Sequence, residues 1–355
     1  MSRKSFSSKL FTVLDHKLMK LDFKEDMKIL LSCGASSMKK GLYEHFDYDV
    51  ETVSLPGFIR SGAKIDEPAF MELMDRMNKA YPCDKKYKGY RLPAVDESDI
   101  CIPGDKNDHK KPQSRRKENE KGAMWTMAER YKGDKAIFIA DRGYETFNNF
   151  EHVKKTGHKF LVRVKDIHSG TSLLKSFRSL PKQGEFDEDV QITFTNKQNK
   201  EIRKHPEVYK IIMTNQRFDF LNKDNHFYDA DYRVVRIKID RKDEEYESLI
   251  TNLDRKLFPA SKIKEIYKLR WDFEVSCRHL KYSAELNALH SKRRDFIRQE
   301  IWARLVMFNI SMIIIDYVQD KKLKKKERRL EYKINITMAI FFSSYLNKER
   351  PQSSL

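Results

Sequence analysis

An α/β architecture is what this 355-residue sequence predicts, and three observations carry the expectation. Helical periodicity dominates up to about residue 85, two short apolar runs end in Asp at 96 and 141, and the segment from about 166 to 245 alternates as strands do. The length is enough for two or three domains with buried cores.

In chain order, Leu10 to Leu21, Lys28 to Cys33 and Pro68 to Tyr81 repeat apolar residues at helical spacing, so residues 1–85 form a helical N-terminal region. Residues 86–165 open an α/β domain. Tyr90-Arg-Leu-Pro-Ala-Val-Asp96 is an apolar lead-in closed by an acid, with Asp99 as a nearby rival that lacks the same lead-in. Lys135-Ala-Ile-Phe-Ile-Ala-Asp141-Arg-Gly-Tyr144 repeats the pattern, with Gly143 as punctuation before a helix starting near Thr146. Taken singly, an Asp after an apolar run is most often a turn former or strand-end cap. Between the two acids, Cys101 to Lys117 is nearly devoid of apolar residues, and Asn119 to Tyr131 reads as a helix.

Residues 166–245 form a β-rich insertion, with alternating runs at Val190 to Phe194, Tyr209 to Met213 and Arg233 to Ile239. Residues 246–320 return to the α/β domain, and 321–355 are a basic C-terminal tail. Ile301 to Val318 is the most hydrophobic stretch, but it contains Arg304, Asn309 and Asp316, so a buried helix is expected rather than a membrane span.

The stretch Tyr267-Lys-Leu-Arg270-Trp271-Asp-Phe-Glu274-Val-Ser-Cys-Arg-His-Leu-Lys281 has an unusual polar face. At roughly 100° per residue, Tyr267, Arg270, Glu274 and Lys281 fall within about 60° of one another. Ile266, Leu269, Phe273 and Leu280 occupy a second sector, expected to dock on a core. A bland alternative is a solvated stripe in which Arg270 and Glu274 form an i,i+4 surface pair worth a few tenths of a kcal/mol.

The order Tyr, two residues, Arg, three residues, Glu, six residues, Lys resembles the signature of bacterial insertion-sequence transposases of the DDE class. The lead-in Ser248-Leu-Ile-Thr-Asn-Leu253 is similar to that family's strand and loop before this helix, and the runs ending at Asp141 and Asp96 resemble its second-acid and first-acid strands. The resemblance implies a ribonuclease H-like catalytic domain interrupted by the β-rich insertion. It also implies Asp96, Asp141 and Glu274 as catalytic metal ligands, and Tyr267, Arg270 and Lys281 as DNA contacts. Double-stranded DNA, as terminal inverted repeats and target, and a synaptic homodimer are the implied partners.

Such chemistry wants carboxylates. Phosphodiester cleavage and strand transfer need an attacking oxygen activated and a leaving oxygen stabilised, which two Mg²⁺ ions about 3.5 to 4 Å apart can do, with Mn²⁺ able to substitute. Magnesium takes hard oxygen ligands and keeps several waters. No Walker-type Gly-rich loop is present, so no nucleotide cofactor is expected.

Charge agrees with a polyanionic partner: 71 Lys and Arg against 53 Asp and Glu leave a formal charge of +18. The excess is densest at Lys106 to Lys121 and Lys321 to Arg329, either solvated faces or DNA contacts. Cys33, Cys83, Cys101 and Cys277 show no CxxC pair and read as reduced thiols. Met1 to Lys9 lacks a signal-peptide apolar core, so a cytoplasmic, nucleoid-associated protein is expected.

Two departures from the family pattern set the remaining expectations. Only 44 residues separate Asp96 from Asp141, with no hairpin among them, so the outer hairpin of the sheet is expected to be missing. The chain also stops soon after Arg350-Pro351, which suggests a shortened C-terminus. The competing expectations are therefore an inactive, DNA-binding remnant and a nuclease of the same fold without strand transfer.

Overall fold

The computed structural model describes residues 21–32, 37–49, 52–83, 85–96, 100, 102–103, 116–239, 246–319 and 334–346. The helix expected from Leu10, Cys33, Asp99, Cys101, and the basic runs at 106–115 and 321–329 lie outside them. In chain order the helices are α1 (Leu21–Ser32), α2 (Met38–His45), α3 (Leu55–Gly62), α4 (Glu67–Ala80), α5 (Arg116–Arg130), α6 (Phe147–Lys155), α7 (Lys200–Lys204), α8 (Ala260–Lys268), α9 (Arg270–Arg278), α10 (Arg294–Val318) and α11 (Ile336–Leu346). The strands are β1 (Ala94–Val95), β2 (Ile137–Ala140), β3 (Lys159–Val164), β4 (Phe186–Thr195), β5 (Tyr209–Ile211), β6 (Phe227–Lys238) and β7 (Tyr246–Thr251).

Two compact units emerge. The first comprises Met1–Asp84, Ser98–His109 and Val275–Leu355; the second comprises Lys85–Glu97 and Lys110–Glu274. In the first unit, Met27, Leu30, Phe58, Phe70, Leu73 and Met77 bury their side chains with Phe296, Val306, Met307 and Ile310 of α10. Ser37 and Ser54 cap α2 and α3, accepting from the backbone N–H of Lys40 and Gly57. Gly62 allows a close approach, since a Cβ there would lie 2.9 Å from the Phe296 ring. The Gln299 amide then donates to the carbonyls of Gly62 and Ile65 at 2.8 and 2.7 Å. α10 is long and apolar enough to cross a membrane by composition, and here it packs on α1 and α4.

The second unit is mixed α/β. Its seven-stranded sheet has the order β1-β2-β3-β7-β6-β4-β5. β1, β2 and β3 are parallel, whereas β7 runs antiparallel to β3 and to β6, and β4 antiparallel to β6. β2 is buried at every position, as a central parallel strand covered on both faces should be. One face carries Met124, Ala128, Phe147, Phe150 and Val153 from α5 and α6, packed on Phe138, Phe160 and Val162. The other carries Ile263 and Ile266 from α8, on Ile137, Ile139, Leu161 and Leu249. Gly157, at φ 78°, makes the left-handed turn from α6 into β3, and its N–H bonds the Lys154 carbonyl.

The β-rich segment is continuous with this sheet. β4 and β6 are longer than their alternating cores because they pair from Phe186↔Arg236 to Thr195↔Phe227, and β7 joins them to β3. At the opposite edge, β1 is the outermost strand among the described residues.

Candidate active site

Strand register assembles the site. Val95 pairs with Ala140, and Ala140 with Val162, and all three side chains enter the core under α5 and α6. Successive strand residues alternate faces, so the next position on each strand, Asp96, Asp141 and Arg163, turns to the face that α8 covers. On β7, Glu247 precedes by two the Leu249 that packs under α8, and so shares this face. The sheet thus carries a row of acid, acid and base on β1, β2 and β3, with Glu247 a diagonal neighbour on β7, where Leu249 is the partner of Arg163.

The contacts agree with the row. Asp141 Oδ1 accepts the Arg142 N–H at 2.7 Å and lies 4.0 Å from Arg163 Nη1. Arg163 Nη2 reaches Glu247 Oε1 at 3.4 Å. Arg163 and Glu247 were not singled out from sequence, although a charge inside Lys159-Phe-Leu-Val-Arg163-Val164 was a legible signal: arginine in an otherwise apolar strand is rarely there for packing.

Over this row lie Tyr267 and Arg270, each 2% exposed. Arg270 Nη1 donates to Glu274 Oε1 at 2.6 Å, and its guanidinium lies 5.3 Å from the Tyr267 ring centroid. Burial, and then the charge of Asp141, push the Tyr267 hydroxyl up to about 12, against the opposing charges of Arg270 and Arg163. Burial works against the Arg270 charge, but Tyr267, Asp141 and Glu274 hold its pKa above the ordinary value.

Two expectations about this helix are corrected. The docked sector is not Ile266, Leu269, Phe273 and Leu280: Ile266 is buried beside Ile263, but Leu269 is 41% exposed and Tyr267 and Arg270 point inward instead. The reason is electrostatic, because the sheet face beneath carries carboxylates that need a counter-charge. The Arg270–Glu274 pair is correspondingly not a surface pair. The helix is also not uniform, since α8 and α9 meet at Leu269 and His279–Ser283 is a π-helical turn. Lys281 lies in that turn, where the 100° spacing of an α-helix gives way to a π-helical one.

The acids meet only in part. Asp96 and Asp141 sit at neighbouring strand ends and offer the hard oxygen donors that Mg²⁺ takes. Glu274 gives one carboxylate oxygen, Oε1, to Arg270, and among the described residues no group of three His, Cys, Asp or Glu side chains is placed to hold a metal ion. The three acids are thus not gathered into one metal centre among the described residues. What the site does present is donors: Arg163 Nε, the Tyr267 hydroxyl and Arg270 Nε are all buried without a hydrogen-bond partner. Each such group costs about 1–3 kcal/mol while unpaired, and together they suit an anion rich in acceptor oxygens.

Cys83 and Cys277 form no disulfide. The transposase DDE domain family matches residues 81–310, a stretch that contains the whole strand row together with Tyr267, Arg270, Glu274 and Lys281. No curated protein matches the chain.

Proposed function

The chain belongs to the DDE transposase family, and from that premise we propose that it cuts DNA at the ends of an insertion sequence and joins the freed 3′-OH to target DNA, in cut-and-paste fashion. The observation that supports the reading is the pairing of Val95 with Ala140, which puts Asp96 and Asp141 at the ends of adjacent parallel strands. The parallel β1-β2-β3 set with helices on both faces is consistent with a ribonuclease H-like domain.

In this reading Asp96, Asp141 and Glu274 are the catalytic acids, and Tyr267 and Arg270 grip a phosphate beside the scissile bond, Arg270 as a planar fork. Lys281 is a further DNA contact. The family depends in general on a divalent metal, Mg²⁺ or Mn²⁺, which Asp96, Asp141 and Glu274 would hold, and Glu274 keeps its Oε1 on Arg270. Terminal repeats and target DNA are the substrates, a homodimer on paired ends the working assembly, and the cytoplasmic nucleoid the place of action.

One observation favours a second reading, that of a DNA-binding remnant without cleavage: among the described residues no three acids are grouped to hold a metal ion. The two part company in one assay. A labelled duplex carrying the DNA that flanks the coding sequence is incubated with Mg²⁺ or Mn²⁺ and either wild type or Asp141→Asn. Cutting by wild type alone supports the transposase; binding without cutting by either protein leaves the remnant.

A further inference from the structure

We propose that Arg163 is a DNA-phosphate contact of this site, acting beside Tyr267 and Arg270, and that the nearby Glu247 charge competes with the phosphate for its guanidinium. The proposal rests on the DNA reading above and names a residue that no sequence motif marked.

Four observations carry it. Arg163 occupies the row position next to Asp141 on the face under α8, by the register Ala140↔Val162. Its neighbours in β3 are buried apolar residues, so its charge is held in a place where packing alone would have chosen Leu or Val. Its contacts are long and single, 4.0 Å to Asp141 and 3.4 Å to Glu247, so neither carboxylate engages the fork. Its Nε is buried without a partner, as are the Tyr267 hydroxyl and Arg270 Nε nearby.

The Arg270 guanidinium lies 5.3 Å from the Tyr267 ring centroid and Arg163 Nη1 4.0 Å from Asp141, and Tyr267 feels all three charges, so β3, α8 and α9 each bring a donor to the neighbourhood of the second acid. A phosphodiester offers two non-bridging oxygens, and two guanidinium forks and a hydroxyl can saturate them. A purely structural arginine, whose task was to neutralise Asp141 and Glu247, would turn its paired N–H groups to one of them at bidentate distance.

The test is fluorescence anisotropy with the same flanking-DNA duplex, over salt between about 50 and 200 mM. Arg163→Gln is expected to weaken binding about tenfold or more, and to reduce the slope of log K against log salt by about one. Arg163→Lys keeps the slope but recovers only part of the affinity, because the charge survives and the fork does not. Glu247→Gln is expected to tighten binding, and that gain should vanish in the Arg163→Gln, Glu247→Gln double variant. A thermal melt of each variant separates loss of contact from loss of fold, and the lysine variant carries the test if the glutamine variant melts early.

An unchanged salt slope in folded Arg163→Gln, or a Glu247→Gln gain that persists without Arg163, overturns the proposal and leaves the transposase reading standing. Wild type that fails to bind the duplex overturns both.

Discussion

Four arginines with little exposure lie in the same unit, in two pairs that are treated differently. On β6, Arg233 and Arg236 are 3% and 4% exposed, and each has its fork filled. Arg233 donates to both Asp187 oxygens at 2.6 Å, and to the Phe258 carbonyl at 2.7 Å. Arg236 donates to both Asp166 oxygens at 2.8 and 3.3 Å, and to the Gly184 carbonyl at 2.7 Å, with its guanidinium 3.8 Å from the Tyr246 ring centroid. Arg270, at the start of α9, and the part-buried Arg163 on β3, with a side chain 21% exposed, each keep an unpartnered Nε. A buried charge that serves the fold has its hydrogen bonds completed within the fold. One that leaves donors over is held for something the fold does not contain.

That contrast can be broken at several points. The largest effect is expected at Glu274: Glu274→Gln abolishes cleavage of the flanking-DNA duplex while leaving its binding intact, and a variant that still cuts removes Glu274 from the acids. Next comes Arg233→Met, which strands Asp187 and the carbonyls of Phe258 and Leu253, 2.7 and 3.4 Å from Arg233 Nη1. It should lower unfolding free energy by about 3 kcal/mol, read by urea denaturation. A loss near zero would mean that Arg255, 3.3 Å from Asp187, suffices alone.

Tyr267→Phe should move stability and function in opposite directions. Deleting an unpaired buried hydroxyl is expected to raise stability by about 1 kcal/mol, or about 2–4 °C in melting temperature, while DNA binding weakens. A lower melting temperature would mean that the hydroxyl is satisfied in solution.

The smallest expected effect is on acid stability. Burial pushes the Asp166 carboxyl up, but hydrogen bonds from Arg236, the His168 N–H and Ser248, with the Arg236 charge, outweigh it and leave the pKa below the ordinary carboxylate value. Its contribution is therefore fully present above the unfolded-state pKa of about 3.9 and is lost as pH falls through the lower folded value. Asp166→Asn should flatten the acid limb of a stability-against-pH curve below about pH 4. An unaltered limb would place the acid sensitivity in other carboxylates.

Much of this was legible locally. Apolar runs closed by Asp96 and Asp141 became β1 and β2 because a short β-branched and aromatic run between turn formers has few other stable fates. The helices near 119–131 and after Thr146 also followed from local periodicity, and Thr146 caps α6 through the Asn149 N–H. The helix carrying Tyr267 and Arg270 was harder. Its residues were recognisable, but which sector would be buried depended on the charges of Asp141, Arg163 and Glu247, which lie far away along the chain.

By itself, the sequence determined the α/β character, the two strand-end acids, the basic charge and the Tyr, Arg, Glu spacing that marks the family. These rest on turn chemistry, helical and strand periods and composition, all written in neighbouring residues. Only the tertiary structure decided that Arg163 joins the row with Glu247 diagonal to it, that α8 and α9 turn their polar face inward, and that Glu274 is bound by Arg270. Those outcomes depend on strand register and on electrostatic balance in a low-dielectric interior, which are properties of pairs of residues distant in sequence.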